Sequence, residues 1–464
     1  MALVRFVVLL FTVACGLALE GTPPTTTPIP AETAFTEPRD EATWHGSIAP
    51  LLADRCGACH RDGGIGPFSI ERYGDVVPWG AAVADAVMTG RMPPFFATDS
   101  ESCDVPLEFV DDVRLTLGER ARVQGWVEAG MPEGDPSEAQ PVELRTPMVL
   151  EDPNSVLPIP APFTVSGNRD IYQCFRIPLE HAGDIWIDGV EVLPDNDLVV
   201  HHVLVWHDPD DLSAEEAGPD GSYRCSGQPD VWPSELIAAW TPGGSPMIAP
   251  ENTGTLVHEG ASLVVNIHYH PTGTTTEVDQ SAIAVRWRDT QPAQHVTWYL
   301  MDIPFGATPA QPPFRIPAGA ADHVEVLELE VPEFVPFDLP VFAITPHMHY
   351  LGTDMQVTVS GPRHPGDTCL ISAEDYRFDY QTSYIYDRTS GELPVVRPGD
   401  VIRVTCTYDN SPANPSLGEQ LEAAGVTEPI DVRWGESTSD EMCMAMVGLI
   451  IPPVDWIRLA EQFF

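Results

Sequence analysis

Two groups of residues in this 464-residue chain have the types and spacing of metal chemistry. The first is Cys56, Cys59 and His60, in the run C-G-A-C-H. Thiols at that spacing can bond to the two vinyl groups of a haem while the following imidazole ligates its iron. A local disulfide beside a chance histidine is the plainer alternative, and zinc would need a second ligand pair that this region lacks. A methionine on the far side would raise the potential of such a haem, and Met88, Met92 and Met131 are the candidates. Met92 lies in G-R-M-P-P-F, where two prolines stiffen the loop, and is the expected axial ligand. Met88 falls on a helical pattern and is assigned to the core.

The second group is drawn from the 14 histidines. His201 and His202 are adjacent, His268 and His270 alternate, and His347, Met348 and His349 follow in sequence, all on expected strands. Alternate residues on a strand share a face, so His347 and His349 can reach one metal from one side. Neighbours such as His201 and His202 point apart unless the strand ends or bulges there. Imidazoles suit copper, zinc, iron or nickel, and a thioether added to them favours Cu(I). Met442, in S-T-S-D-E-M-C, is the thioether in question. Taken singly, each of these histidines is more often structural than functional.

Composition narrows the chemistry further. Asp and Glu number 69 against 23 Lys and Arg, a formal charge of -46. Such a surface repels phosphate backbones and anionic lipid, so nucleic acid is excluded as a partner. The chain contains no lysine, which rules out Schiff-base and P-loop mechanisms.

The elements that must position these residues divide the chain. Residues 1–15 carry an apolar run, F-V-V-L-L-F-T-V-A, too short to span a bilayer and suited to a signal peptide, so export to the periplasm or exterior is expected. Cys15 stands where a lipid anchor would be attached, although Thr12 fits that pattern poorly. No later stretch is long enough for a transmembrane helix. Residues 16–40 form a Pro/Thr-rich linker. Residues 41–136 show helical periodicity and read as a small all-α domain. After a second Pro-rich linker at 137–150, short alternating runs predict two tandem antiparallel β-sandwiches of jelly-roll type, at 151–306 and 307–464.

From Asn168 to Pro453 the chain resembles the copper type II, ascorbate-dependent monooxygenases, which include the peptidylglycine α-hydroxylating and dopamine β-monooxygenases. The resemblance rests on DIYQCFRIPL, VVHHVLVW, LVVNIHYH, TPHMHYLG, RVTCTYDN and GESTSDEMC, in order and at compatible spacings. It implies two copper ions. One, an electron-transfer copper, would be held by His201, His202 and His268; the other would bind dioxygen at His347, His349 and Met442, the catalytic set. The implied reaction is C–H hydroxylation with O2 and two single electrons from ascorbate or another donor, the second electron crossing a gap between the sandwiches. The segment from IAPLLADRCGACH to VQGWVEAGMPEGDP is similar to small cytochrome c domains, so one covalent haem c is expected as an electron entry port on a flexible tether, fed by a redox protein or quinol. His270 has no counterpart among the ligands and reads as a strand-end residue.

The resemblance also implies a Cys406–Cys443 bridge and makes Cys174 a half-cystine, with Cys225 as its substitute partner; the pairing of Cys103 and Cys369 is left open. Where peptide-hydroxylating members carry Arg, Asn and Tyr to grip substrate, this chain has Thr345, Met444 and Met446. A small, largely apolar substrate is therefore expected. A non-catalytic copper-binding or electron-transfer protein is the rival reading.

Overall fold

The computed structural model describes residues 42–98, 103–139, 142–301, 313–364, 366–378 and 380–455. The expected signal segment, the first linker and Cys15 lie outside the described residues. From Ala42 onward the chain forms one compact unit.

A π-helical turn, Trp44–Ile48, is capped by Thr43, whose side chain accepts from the Gly46 N–H at 3.1 Å. It runs into the helix Ala49–Cys56, whose end delivers the C-G-A-C-H motif. Helices Gly80–Met88 and Leu117–Glu128 follow, the latter opened by a capping box between Thr116 and Glu119. Trp44, Ile48, Leu52, Val76 and Trp126 pack in one cluster, and Val87 joins Leu51, Leu115 and Val123 in a second.

The helices do not stand apart as the separate all-α domain expected from periodicity. Between Gly80–Met88 and Leu117–Glu128 the chain leaves them, and Phe96, Ala97, Leu107 and Phe109 enter the core of the second sandwich. There the Thr98 N–H donates to the Ser372 carbonyl and the Val110 N–H to that of Ile385, each at 2.8 Å. This excursion also answers the pairing left open by the sequence, because it carries Cys103 to Cys369, with which it forms a disulfide across a separation of 266 residues. The bridges Cys174–Cys225 and Cys406–Cys443 are present as well.

The second linker is not a flexible tether. The Arg145 N–H donates to the Ala53 carbonyl at 3.0 Å, and buried Leu150 fills the space over Gly189, where any side chain would collide with it. Met88, assigned to the core, is 44% exposed at the last turn of its helix.

β-strands are the main regular structure among the described residues. A ten-stranded sheet runs from Ser155–Pro158 through Ala282–Arg288, Ile185–Leu193, Thr253–Val257 and Gln294–Met301 to Met444–Ile451 and Leu339–His347. The pairing of Gln294–Met301 with Met444–Ile451 joins the two halves of the chain in one sheet. A five-stranded sheet containing Ile171–Pro178, Ser262–Tyr269 and Val200–Asp208 packs on the first half, and a four-stranded sheet containing Val401–Tyr408 packs on the second. Burial explains the sequence patterns. Met444–Ile451, M-A-M-V-G-L-I-I, is buried at every residue and reads as a continuous apolar run, while Val401–Tyr408 alternates because one face meets solvent.

Candidate metal and haem centre

The first histidine set is made by a bulge. Along Val200–Asp208, His202 is paired with His268 while Val200 is paired with Tyr269, so His201 is the extra residue on its strand. That irregularity turns two neighbouring side chains toward one point, the condition their adjacency required. His202 Nδ1 lies 3.3 Å from His201 Nδ1 and 3.3 Å from His268 Nδ1. Two nitrogens that each stand ~2.0–2.1 Å from a common ion at tetrahedral angles lie about 3.3 Å apart, so the spacing is that of a ligand set. Candidate ligand atoms of all three residues fall within 4.8 Å of one another.

The second set lies where Leu339–His347 ends. His347 is paired with Met444, Met348 turns into the core, and His349 returns, leaving the His347 and His349 rings 5.1 Å apart and nearly perpendicular. The His347 Nδ1–H donates to Gln381 Oε1, and the His349 Nδ1–H donates to the Asp440 carbonyl at 3.1 Å. Each ring thereby keeps Nε2 free, the arrangement by which an outer acceptor orients a metal-binding imidazole. Met442 lines the same cavity wall. Buried Glu441 accepts the backbone N–H of His349 at 2.9 Å, Leu351 at 2.7 Å and Met442 at 3.2 Å, tying the H-M-H turn to the methionine.

Burial favours the neutral form of four of these imidazoles, His201, His202, His347 and His349. Burial, reinforced by neighbouring histidines, pushes His201 down to about 3 and His202 well below the usual histidine range. Burial also pushes His347 down to about 4, against its bond to Gln381, and holds His349 well below the usual range. A neutral imidazole has the lone pair a metal requires.

The expected gap between the two sets is closed in this structure. The His202 and His347 rings have centroids 6.4 Å apart, and Phe378 lies between the sets, stacked on His201 at 4.9 Å and 5.5 Å from His349. His270, the expected strand-end residue, donates through Nδ1 to Asp170 at 2.8 Å, and the same carboxylate stands 3.5 Å from His268 Nε2.

Cys56 and Cys59 are unpaired with each other, so no local disulfide forms. The His60 Nδ1–H donates to the Phe68 carbonyl at 3.1 Å, leaving Nε2 for a ligand. A Cβ on Gly66 would lie 2.7 Å from that ring nitrogen, so glycine is what lets the loop pass it. Of the three methionines considered for the far side, Met92 lines the cavity beside Cys56, Cys59 and His60, whereas Met131 packs against Gly80. The residues present thus fit a covalently held haem. That cavity, about 1300 Å³, also reaches His202, His347, His349 and Met442.

Asp170, Gln381, Phe378 and Glu441 were missed by sequence reasoning. Glu441 adjoins Met442 within a motif and Asp170 opens another, but Gln381 and Phe378 carry no local signal.

No protein-family model matches the chain, and no curated protein does. Among solved structures, the major capsid protein P2 of bacteriophage PM2 aligns at 12% identity and a TM-score of 0.28, over 64% of this chain and 97% of that one. Naturally occurring empty particles of cowpea mosaic virus align at 9% identity and 0.27, over 61% and 90%. Superpositions this loose carry no argument about the chain. Among the described residues no helix is long and apolar enough to cross a membrane.

Proposed function

We propose that the chain is a copper-dependent monooxygenase that hydroxylates a C–H bond of a small, largely apolar substrate, with electrons delivered through a c-type haem. The observation that carries this reading is the convergence of the His201, His202 and His268 Nδ1 atoms beside a second pair, His347 and His349, whose Nε2 atoms are left free. Copper held by these sets would supply dioxygen activation and one-electron transfer, and haem at Cys56, Cys59, His60 and Met92 would supply a one-electron store. Gln381 and the Asp440 carbonyl fix the tautomers of the catalytic pair. Burial of both rings keeps them unprotonated and limits water at the reacting centre.

The wall beside His347 selects the substrate. Met446 lies between Leu300 and Thr345 in the sheet register, and Met444 is opposite His347. Thr345 is engaged with Ser383 at 2.6 Å; of the four arginines lining the cavity, Arg55, Arg145 and Arg286 are held by Glu119, Asp111 and Asp188, and Arg61 adjoins His60 at the other end, away from this wall. A substrate carboxylate there would be buried without a counter-charge, at a cost on the order of several kcal/mol.

Ascorbate or another donor would complete the cycle. The test loads the purified chain with copper, counts metal and haem, and measures oxygen uptake and ¹⁸O incorporation with small amines, aromatics and thioethers. Two coppers bound with no copper-dependent oxygen consumption on any of them would favour the non-catalytic reading. Efficient turnover of a glycine-extended peptide would overturn the substrate assignment.

A further inference from the structure

We infer that Asp170 is a positioning residue that locks the three-histidine set to the loop carrying Met442, so that the two candidate copper sites adjust together. The inference rests on the metal assignments proposed above. Asp170 immediately precedes Ile171–Pro178, which runs antiparallel to Ser262–Tyr269 and brings it beside His270. Its Oδ1 accepts from His270 Nδ1 at 2.8 Å. Its Oδ2 accepts from Thr438 Oγ1 at 2.6 Å and stands 3.5 Å from His268 Nε2, a buried nitrogen with no closer partner. Because His268 turns Nδ1 toward His202, its proton belongs on Nε2, facing this carboxylate.

Thr438 lies in the loop that leads into Met442. The same loop is held to the first sandwich by Tyr172, whose hydroxyl donates to the Glu436 carbonyl at 2.6 Å while its ring stacks on His268 at 4.3 Å. Glu436 in turn accepts the Gly227 N–H at 2.9 Å. One carboxylate therefore touches a ligand of the first set and the loop that carries a ligand of the second. Any displacement of His268 when metal binds is passed to Met442, and by linkage the influence is reciprocal.

Two variants of the full chain test this. Asp170→Asn removes the carboxylate, and Thr438→Val removes the hydroxyl bond to the loop without touching His268, leaving only the longer bond from the Thr438 N–H to the same oxygen at 3.4 Å. In metal-free protein, amide exchange over residues 436–442 should rise about tenfold or more in both variants, at unchanged global stability in Thr438→Val. With copper, Asp170→Asn should weaken the three-histidine site by about 10- to 100-fold. Both variants should shift the C–O stretch of carbon monoxide bound at the reduced Met442 site, while Thr438→Val leaves three-histidine affinity within about twofold. Exchange at the loop unchanged in both variants overturns the lock whether or not copper binds. If the wild-type protein takes up no copper while loop exchange is faster in both variants, the metal assignment fails and the lock stands.

Discussion

Glu441 offers a direct measure of how the proposed dioxygen-binding set, His347, His349 and Met442, is held. Its side chain is fully buried, and its two oxygens accept three backbone N–H groups, from His349, Leu351 and Met442. Truncation to alanine leaves these donors without their acceptor. Each buried donor so orphaned costs about 1–3 kcal/mol, but water entering the vacated space recovers part, so a total of about 3–5 kcal/mol is expected. Glu441→Gln keeps the size and one acceptor oxygen but turns an amide toward a donor, costing about 1–3 kcal/mol. Against a total stability of roughly 5–15 kcal/mol, the alanine variant should be visibly destabilised. Denaturant unfolding of metal-free protein reads the stability, and copper competition with a chelator reads the site. Both variants should weaken copper at His347, His349 and Met442 while leaving the three-histidine set nearly unaffected. Equal loss at both sets, or a stability change under about 1 kcal/mol for Glu441→Ala, would refute the reasoning that this carboxylate organises the second set.

Met442→Ala should abolish hydroxylation while most copper stays bound, as metal analysis beside an oxygen-uptake assay will show; full activity removes the methionine from the mechanism. The depressed pKa values of His201, His202, His347 and His349 mean that below about pH 6.5 the unfolded chain binds protons the folded chain refuses. Metal-free stability should therefore fall as pH drops from about 6.5 toward 4, and less steeply in a His347→Gln variant. Cys103→Ser should cost about 2–5 kcal/mol by freeing a very long loop in the unfolded state, with fraying of residues 95–98 and 103–110 detectable by proteolysis. Cys59→Ser should prevent normal covalent haem attachment, seen as loss of haem from the denatured chain. It should also slow turnover with a protein or quinol donor far more than with concentrated ascorbate; equal slowing would make the haem a passenger.

What the amino-acid sequence determined by itself is local. The C-G-A-C-H spacing, the alternation of His347 with His349, and the placement of strand runs follow from covalent spacing and the two-residue period of a strand. Those intervals hold whatever the rest of the chain does. The convergence of His201 and His202 was implied by the resemblance alone and not by local spacing, because it depends on a bulge set by the register against Tyr269 and His268. The segment around Phe96 and Phe109 was read with its helical neighbours, since short extended runs have too few residues to show a period. Its docking is what brings Cys103 to Cys369. The acceptors that orient the ligands, Asp170, Gln381 and Glu441, are likewise decisions of tertiary structure. A carboxylate or amide in sequence is a solvated surface group until packing excludes water from it and leaves it one set of donors to satisfy. The closeness of the two histidine sets has the same origin: the pairing of Gln294–Met301 with Met444–Ile451 makes one sheet of two halves.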